Sequence, residues 1–459
     1  MPRFRANLAD LTALQARDEI ARGALKAVEL AEACLERIAE REPGVEAWAH
    51  LDSDLVMRQA EAADRFRASG RAIGLLHGVP VGVKDIVDTR DMPTENGTIL
   101  DEGRRPRADA AVVERLREAG AIILGKTVTT ELAVYHPGKT RNPHDASRTP
   151  GGSSSGSAAS VAAGMAPLAI GTQTNGSVIR PASYCGVVGF KPSRGLISRR
   201  GILVQSPTLD SVGTFSRTVE DAALLADAIA GHDPRDRQTV LAARPDLSRT
   251  TMSRPPVKPA LAFVRSPVWD EAEEDVRAGF TELVETLGGG IEEVELPSPF
   301  ERAHALHSVV MLADIARSFS RYFEYGRDKL SGRLVGMIEE GRTVLAVDYA
   351  AALDWIEVMN AALEKLFERY DALLTPAATG EAPMGLDTTG SPTFCTIWTY
   401  CGAPAVTLPL LVGSSGMPVG VQMVGRHMYD GRLLRTARWL TEALREEGQD
   451  IKVVTGVGR

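Results

Sequence analysis

Apolar and polar residues alternate in two kinds of segment along this 459-residue chain. Short apolar runs bounded by glycine or proline are typical of buried strands, and apolar residues at helical spacing are typical of amphipathic helices. The predicted strands are 74–83, 121–124, 168–171, 260–264, 291–296 and 373–376, and the segment 393–425 is predicted to complete the sheet. Strands interspersed with helices predict an α/β fold.

Start and stop signals place several of the predicted helices. Apolar residues recur at helical spacing over 11–41, and Pro43 with the glycine after it is a stop signal. Asp109 is the predicted N-cap of a helix that ends at Gly120, and Thr218 begins another. We expect these helices to have structural roles.

Composition and charge narrow the class of protein. The chain is 44% hydrophobic and 24% charged, as globular proteins are, and its net charge of −8 argues against a nucleic-acid or anionic-membrane surface. No apolar targeting region begins the sequence and no run of about 18 apolar residues occurs, so neither export nor a membrane span is predicted. Four cysteines without CxxC spacing indicate reduced thiols in a cytoplasmic protein, and the histidines show no metal-binding spacing.

The stretch from 146 to 195 differs from the rest because it is rich in glycine and serine. It contains two tight turns, GGSSSG at 151–156 and TNGS at 174–177. Such turns bring backbone N–H groups close to a ligand. A flexible linker would share this composition, but apolar residues such as Val161 and Ile170 are ones that a linker would lack.

This stretch resembles the signature of the amidase signature family, whose members hydrolyse carbon–nitrogen bonds with a Ser–cis-Ser–Lys triad. By position, Ser153 matches the cis-serine of the family and Ser177, the last residue of TNGS, matches its nucleophile. Upstream, GVPVGVKDIVDT at 78–89 resembles the lysine segment, which puts the third member at Lys84. The likeness extends from the LTALQARDEIARG opening to the segment 398–425.

The resemblance implies one amidase signature domain over residues 1–459, with a large, twisted mixed sheet and helices on both faces. It is weakest over about 245–370, where the pattern becomes mostly helical. We predict that this helical elaboration covers the mouth of the active site and influences the choice of substrate.

The resemblance also implies the chemistry. Ser177 would attack the amide carbonyl, and Ser153 would pass its proton to Lys84, a base because burial keeps it neutral. The backbone N–H groups predicted to hold the oxyanion are those of Thr174, Asn175, Gly176 and Ser177. The peptide bond between Gly152 and Ser153 is predicted to be cis. No metal and no cofactor is implied.

The chain departs from the family pattern at two positions. Where the family usually reads Thr-Asp-Thr-Gly-Gly-Ser and then, after one residue, Arg, this chain has Gln173 in place of the acid and Arg180 one place later. If the two groups form an ion pair in relatives, this is one coupled change that alters the electrostatics of the pocket. The side chains predicted to line the pocket are Ser154, Gln173, Arg180, Trp398 and Tyr400, although the two aromatic residues fit the core equally well.

Two other motif matches compete with this interpretation. Residues 120–127 match the P-loop pattern GxxxxGK[ST], but a helix precedes the first glycine and a strand lies between the glycines, whereas phosphate binding requires a strand and then a bare loop. GGSSSG also satisfies the GxSxG nucleophile elbow with Ser154 at its centre. The prolines and turn formers before it, RNPHDASRTP, replace the strand that this elbow requires.

The predicted function is hydrolysis of a small-molecule amide through an acyl-enzyme, by a monomer or homodimer. Carbamates (urethanes), ureas and some esters are also within reach of such a site, and the sequence does not select among them. The alternative is the glutamine amidase component of a transamidating complex, similar to glutamyl-tRNA amidotransferase. The acid and the arginine that would hold a free amino acid are not identifiable in 298–400, which favours the first function.

Overall fold

The computed structural model describes residues 5–288 and 291–446, and within these ranges it contains one sheet of eleven strands. The strands are β1 Trp48–Leu51, β2 Pro80–Lys84, β3 Ile122–Thr127, β4 Leu168–Gln173, β5 Val188–Lys191, β6 Ser211–Ser216, β7 Leu261–Arg265, β8 Ile291–Glu295, β9 Ala372–Pro376, β10 Ala405–Val412 and β11 Pro418–Val424. Their order in the sheet is β1-β3-β2-β4-β6-β5-β10-β11-β9-β7-β8. Parallel pairs such as β2 with β4 and antiparallel pairs such as β4 with β6 both occur, so the predicted mixed α/β sheet is confirmed.

Fifteen α-helices connect and cover these strands in the described ranges. They are α1 Ala13–Arg22, α2 Ala27–Val45, α3 Ser53–Ala68, α4 Ala111–Glu118, α5 Ser155–Ala162, α6 Ile179–Cys185, α7 Val219–Ile229, α8 Leu247–Met252, α9 Glu274–Leu287, α10 Ala303–Ser318, α11 Ser320–Gly326, α12 Gly332–Gly341, α13 Ala346–Phe367, α14 Thr393–Tyr400 and α15 Asp430–Glu446. None of the described helices is both long enough and apolar enough to cross a bilayer.

Helices pack on both faces of the sheet. Successive side chains of a strand point to opposite faces. In β3, Ile123 joins a hydrophobic cluster with residues of α4, α7 and α15, whereas Ile122 and Leu124 join a cluster with residues of α2, α3 and α5. The two faces of the sheet are therefore both buried under helices.

The segment 245–370 contributes β7 and β8 to the edge of the same sheet and then α10 to α13. The interior of this helical part, which includes Phe300, Val310, Ile338 and Met359, belongs to a hydrophobic cluster that extends to β9 and α14. The predicted order of strands followed by helices is therefore observed. The predicted domain limits include residues 1–4 and 447–459, which lie outside the described residues.

Local structure differs from prediction at four places. The segment 393–425 belongs to the sheet only through β10 and β11, because Thr393–Tyr400 forms α14. The N-cap of α4 is Ala110, and the carboxylate of Asp109 instead accepts hydrogen bonds from Arg90 N (2.9 Å) and Arg117 Nε (3.0 Å). Pro43 does not end α2, which continues for two more residues to the buried Val45. The first half of the predicted strand 74–83 forms turns, and only its end belongs to β2.

The P-loop alternative is not supported by the structure. The second glycine and the lysine of the motif, Gly125 and Lys126, lie inside β3 and pair with neighbouring strands. Lys126 is buried, and its Nζ lies 3.2 Å from Asp85 Oδ1. A backbone whose N–H groups are engaged in a sheet cannot surround a phosphate, and this lysine already has a carboxylate partner.

Candidate active site

Two neighbouring parallel strands bring the predicted catalytic segments together. β2 ends at Lys84 and β4 ends at Gln173, and the two strands pair in parallel with Val83 opposite Ile170. The carboxyl ends of parallel neighbours lie at the same edge of a sheet, which is where α/β folds bind ligands. The lysine and the TNGS turn therefore lie at the same edge.

Lys84 is completely buried, and its Nζ contacts two hydroxyl groups. Nζ lies 2.7 Å from Ser153 Oγ and donates to Thr172 Oγ1 at 3.0 Å. Burial lowers the pKa of Lys84 to about 7, although the negative charge of Asp210 opposes this shift. Within the described ranges, no carboxylate forms an ion pair with Lys84. This lysine is thus able to lose its proton near neutral pH, which an exposed lysine is not.

The peptide bond between Gly152 and Ser153 is cis, as predicted. The carbonyl oxygen of Gly152 accepts a hydrogen bond from Arg180 Nη2 at 2.7 Å. A side chain at Gly152 would approach Thr389 Cγ2 to 2.8 Å, so a residue larger than glycine does not fit without movement. These contacts fix the backbone that presents the Ser153 hydroxyl to Lys84.

The TNGS turn is anchored by its carbonyl groups. They accept hydrogen bonds from His307 Nε2 to Thr174 O (3.1 Å), from Thr399 Oγ1 to Asn175 O (2.6 Å) and from Arg180 N to Gly176 O (2.9 Å). By contrast, the backbone N–H groups of all four predicted donors, Thr174, Asn175, Gly176 and Ser177, donate to no acceptor in the part of the chain that the structure describes. A turn with tethered carbonyls and unused N–H groups is able to hold an oxyanion.

Ser177 is close to the surface of this site, with 9% of its area exposed. Its Oγ makes no hydrogen bond to Ser153 Oγ or to any other described residue. The structure therefore joins Lys84 to Ser153 but does not join Ser153 to Ser177. Catalytic hydrogen bonds often form fully only in the substrate complex, so the role of Ser177 stays a prediction.

The competing serines are engaged by the backbone of neighbouring strands. Ser154 Oγ donates to Thr172 O and accepts from Thr172 N, both at 3.2 Å, and Ser155 Oγ donates to Val128 O at 3.3 Å. No strand leads into GGSSSG, since the preceding residues contribute only an isolated bridge from Arg148 to Met384. The nucleophile-elbow arrangement with Ser154 at its centre is therefore not formed.

Gln173 and Arg180 are both buried but are not hydrogen-bonded to each other. Gln173 Oε1 accepts from the N–H groups of Val178 and Ile179, at 2.8 and 3.0 Å, and so caps the start of α6. Arg180 is 1% exposed, and its Nη2 bonds Gly152 O and Thr389 Oγ1. Its Nε and Nη1 have no hydrogen-bond partner among the described residues. The neutral glutamine and the displaced arginine thus act separately in this chain.

The two predicted pocket aromatics lie on α14. Trp398 and Tyr400 are buried in the hydrophobic cluster of the helical part. The Tyr400 hydroxyl donates to Ala352 O, and its ring meets that of His307 edge-on, with 6.4 Å between centroids. This packing supports the core alternative for both residues, and their contact with a substrate stays a prediction.

Replacing Gln173 by glutamate should destabilise the protein. Thr399 Oγ1 accepts from Gln173 Nε2 at 2.9 Å and gives its own proton to Asn175 O. Glutamate has no proton to give, so one buried acceptor loses its partner, at a cost of about 1–3 kcal/mol in unfolding free energy. Urea unfolding of Gln173→Glu, with the exposed Gln238→Glu as control, measures this. Wild-type stability of Gln173→Glu would mean that Arg180 compensates the new charge.

Comparison with known proteins is consistent with this geometry. The amidase family model matches residues 29–434. Two of the similar relatives are glutamyl-tRNA(Gln) amidotransferase subunits. The one from Synechococcus sp. is 33% identical, covering 91% of this chain and 95% of the relative, and the one from Symbiobacterium thermophilum is 37% identical, covering 90% and 93%.

Solved structures of similar proteins share the fold. A 6-aminohexanoate cyclic dimer hydrolase has a TM-score of 0.85 at 27% identity, covering 97% of this chain and 99% of its own. A peptide amidase in complex with the competitive inhibitor chymostatin has a TM-score of 0.82 at 30% identity, covering 95% and 98%. The fold, the arrangement of the TNGS turn and the extent of the family match lead to one conclusion: the chain belongs to the amidase signature family.

Proposed function

We propose that this chain hydrolyses a carbon–nitrogen bond of a small-molecule amide through an acyl-enzyme on Ser177. Lys84 is the base, and Ser153 carries protons between the two. The observation that carries the proposal is the fully buried Lys84 Nζ at 2.7 Å from Ser153 Oγ, beside a turn whose N–H groups are unused.

In the acylation step, Ser177 Oγ forms a bond to the carbonyl carbon of the amide. Its proton passes to Ser153 Oγ as the proton of Ser153 passes to the neutral amine of Lys84. The carbonyl oxygen becomes an oxyanion and accepts hydrogen bonds from N–H groups of the turn formed by Thr174, Asn175, Gly176 and Ser177. Donors already in place stabilise this charge without reorganisation, which makes this term large in amide hydrolysis.

When the tetrahedral intermediate breaks down, the carbon–nitrogen bond cleaves. The proton held on Lys84 returns through Ser153 to the leaving nitrogen, which departs as an amine or ammonia. Water then attacks the ester on Ser177, and its proton passes through Ser153 to Lys84, as the proton of Ser177 did during acylation. Cleavage of the ester releases the acid and restores the Ser177 hydroxyl and the neutral lysine.

The proposal extends to related substrates, because the same steps cleave a carbamate, a urea or an ester. A panel of chromogenic amides, carbamates and esters with matched acyl groups, measured with the purified chain, would rank these classes. We expect turnover of amides or carbamates as well as esters, since the proton returned by Lys84 serves a leaving nitrogen. Cleavage of esters with no detectable cleavage of any matched amide or carbamate would contradict the proposal.

The second candidate function is that of a glutamine amidase component in a transamidating complex. It is favoured by the relatives at 33–37% identity that are named as part of glutamyl-tRNA(Gln) amidotransferase. Such a component would release ammonia from glutamine for a partner protein. It differs from the first candidate in its substrate and in its need for a partner, but it uses the same acyl-enzyme chemistry.

The two candidates predict different behaviour of the isolated protein. As a small-molecule amidase, the purified chain should hydrolyse simple amides without any partner, and glutamine should be a poor substrate. Ammonia release from a panel of amides and from glutamine measures this directly. Activity on glutamine alone, or activity that appears only when an amidotransferase partner is added, would decide for the second candidate.

A further inference from the structure

The start of β6 places a carboxylate beside the TNGS turn. β6 runs antiparallel to β4, and Gln173 lies opposite Ser211, so the residue before β6 lies next to the residue after β4. These two residues are Asp210 and Thr174, and Thr174 Oγ1 donates to Asp210 Oδ1 at 2.6 Å. No pattern in the sequence separated Asp210 from the other aspartates.

The carboxylate of Asp210 is buried and held by several donors. Its Oδ2 accepts hydrogen bonds from Gln205 N (2.9 Å) and Ser206 N (3.1 Å). Arg199 Nη1 donates to the Asp210 carbonyl oxygen at 3.0 Å and so brings a positive charge close to it. Burial raises the pKa of Asp210, whereas Arg199 and these hydrogen bonds act in the opposite direction by favouring the charged form.

Asp210 also lies close to Thr172, a hydrogen-bond partner of Lys84. Asp210, Thr174 and Thr172 line one cavity of about 10 Å³, and Lys84 Nζ donates to Thr172 Oγ1. A cavity of this size holds about one water molecule. Asp210 is the charged group that opposes the effect of burial on the pKa of Lys84.

We infer that Asp210 is a positioning residue of the active site, which acts as the counter-charge of Lys84 and fixes the turn that precedes Ser177. The inference rests on the proposed function. During acylation Lys84 gains a proton and becomes an ammonium ion in a fully buried position. A buried charge without compensation is costly, so a nearby carboxylate lowers the energy of this state. Through Thr174, the same carboxylate holds the loop that carries the oxyanion donors.

A purely structural role for Asp210 predicts a different result. Its bonds to Gln205 and Ser206 would then only hold the loop before β6, and the titration of Lys84 would not depend on it. Asp314 provides a matched control, because it is also a buried aspartate. It accepts from Ser206 Oγ at 2.6 Å and Tyr349 OH at 3.0 Å, yet its charge does not act on Lys84.

The experiment measures the rate at which a fluorophosphonate labels the purified full chain, as a function of pH. This readout needs the base but not the natural substrate. For Asp210→Asn we expect the acid limb of the profile to move to lower pH by about one unit, since the ammonium form loses its opposite charge. We also expect the plateau rate to fall by about tenfold, because the oxyanion donors lose their support.

Two further variants separate the counter-charge role of Asp210 from its positioning role. Thr174→Val removes the hydroxyl that contacts Asp210 Oδ1 and Gln205 Oε1 but leaves the carboxylate with its bonds from Gln205 N and Ser206 N. The plateau should therefore fall, while the acid limb should move less than it does in Asp210→Asn. Asp314→Asn should leave both unchanged. If Asp210→Asn does not fold, Asp210→Glu displaces the charge by one methylene, and its acid limb should move away from that of the wild type.

An acid limb of Asp210→Asn, or of Asp210→Glu in its place, that coincides with the wild type would overturn the counter-charge role. A wild-type plateau in Thr174→Val would overturn the positioning role. Failure of the proposed function is seen separately, because wild-type protein would then not be labelled or would carry the label on a residue other than Ser177.

Discussion

Replacing Ser177 by alanine should abolish both covalent labelling by a fluorophosphonate and turnover of amides. Without the Ser177 hydroxyl no acyl-enzyme can form, and loss of a serine nucleophile lowers kcat by about 10⁶-fold in a well-studied serine hydrolase. The fold should be unaffected, because Ser177 Oγ makes no hydrogen bond to any described residue. Labelling is measured by mass spectrometry of the intact protein and by peptide mapping of the adduct.

Ser154→Ala is the matched control for this experiment. Ser154 lies in GGSSSG and is also buried near Lys84, but its hydroxyl bonds the backbone of Thr172. We expect this variant to weaken turnover, because β4 loses support, while labelling at Ser177 persists. An adduct found on Ser154 in the wild type, together with an active Ser177→Ala, would contradict the proposed mechanism.

The second large effect concerns the base. Amide hydrolysis should rise with pH and level off above the pKa of Lys84, which burial lowers to about 7. The sign follows from the mechanism, because only the neutral amine accepts the proton from Ser153. Lys84→Ala should reduce kcat/KM by about 10²- to 10⁴-fold, the usual contribution of a general base. Steady-state kinetics over a pH series measures both quantities.

Lys191 supplies a control for the base. It is a second fully buried lysine whose pKa burial also lowers to about 7, but its Nζ donates to Pro192 O and not to Ser153. Lys191→Met should keep the acid limb of the profile where it is, even if it changes stability. A rate that is flat between about pH 5 and pH 9, or one abolished by EDTA, would argue against a neutral lysine as the base.

The catalytic arrangement was predictable from sequence because it depends on segments with local signals. The turns at 151–156 and 174–177 contain the glycines that their backbones require, and the apolar run before Lys84 marks the strand that delivers it. The cis bond before Ser153 followed from the family resemblance and is present. The family pattern did not predict the roles of Gln173 and Arg180, the two residues that depart from it.

The supporting residues could not be predicted in the same way. His307, Thr399 and Asp210 come from distant parts of the chain and contact the turn only through the fold. Each makes a single hydrogen bond to the turn, and such a bond produces no periodic or compositional signal in the sequence. The boundary at Asp109 was wrong for a related reason, since tertiary contacts of Asp109 override the local signal.

The anchoring of Thr174 O by His307 has a consequence for engineering. His307 lies in α10, within the segment where the family resemblance is weakest and where we expect substrate choice to be set. Grafting this helical segment from a relative to change the substrate would also remove a support of the oxyanion donors. Chimeras should therefore lose kcat together with the old specificity, unless a hydrogen-bond donor is retained at position 307.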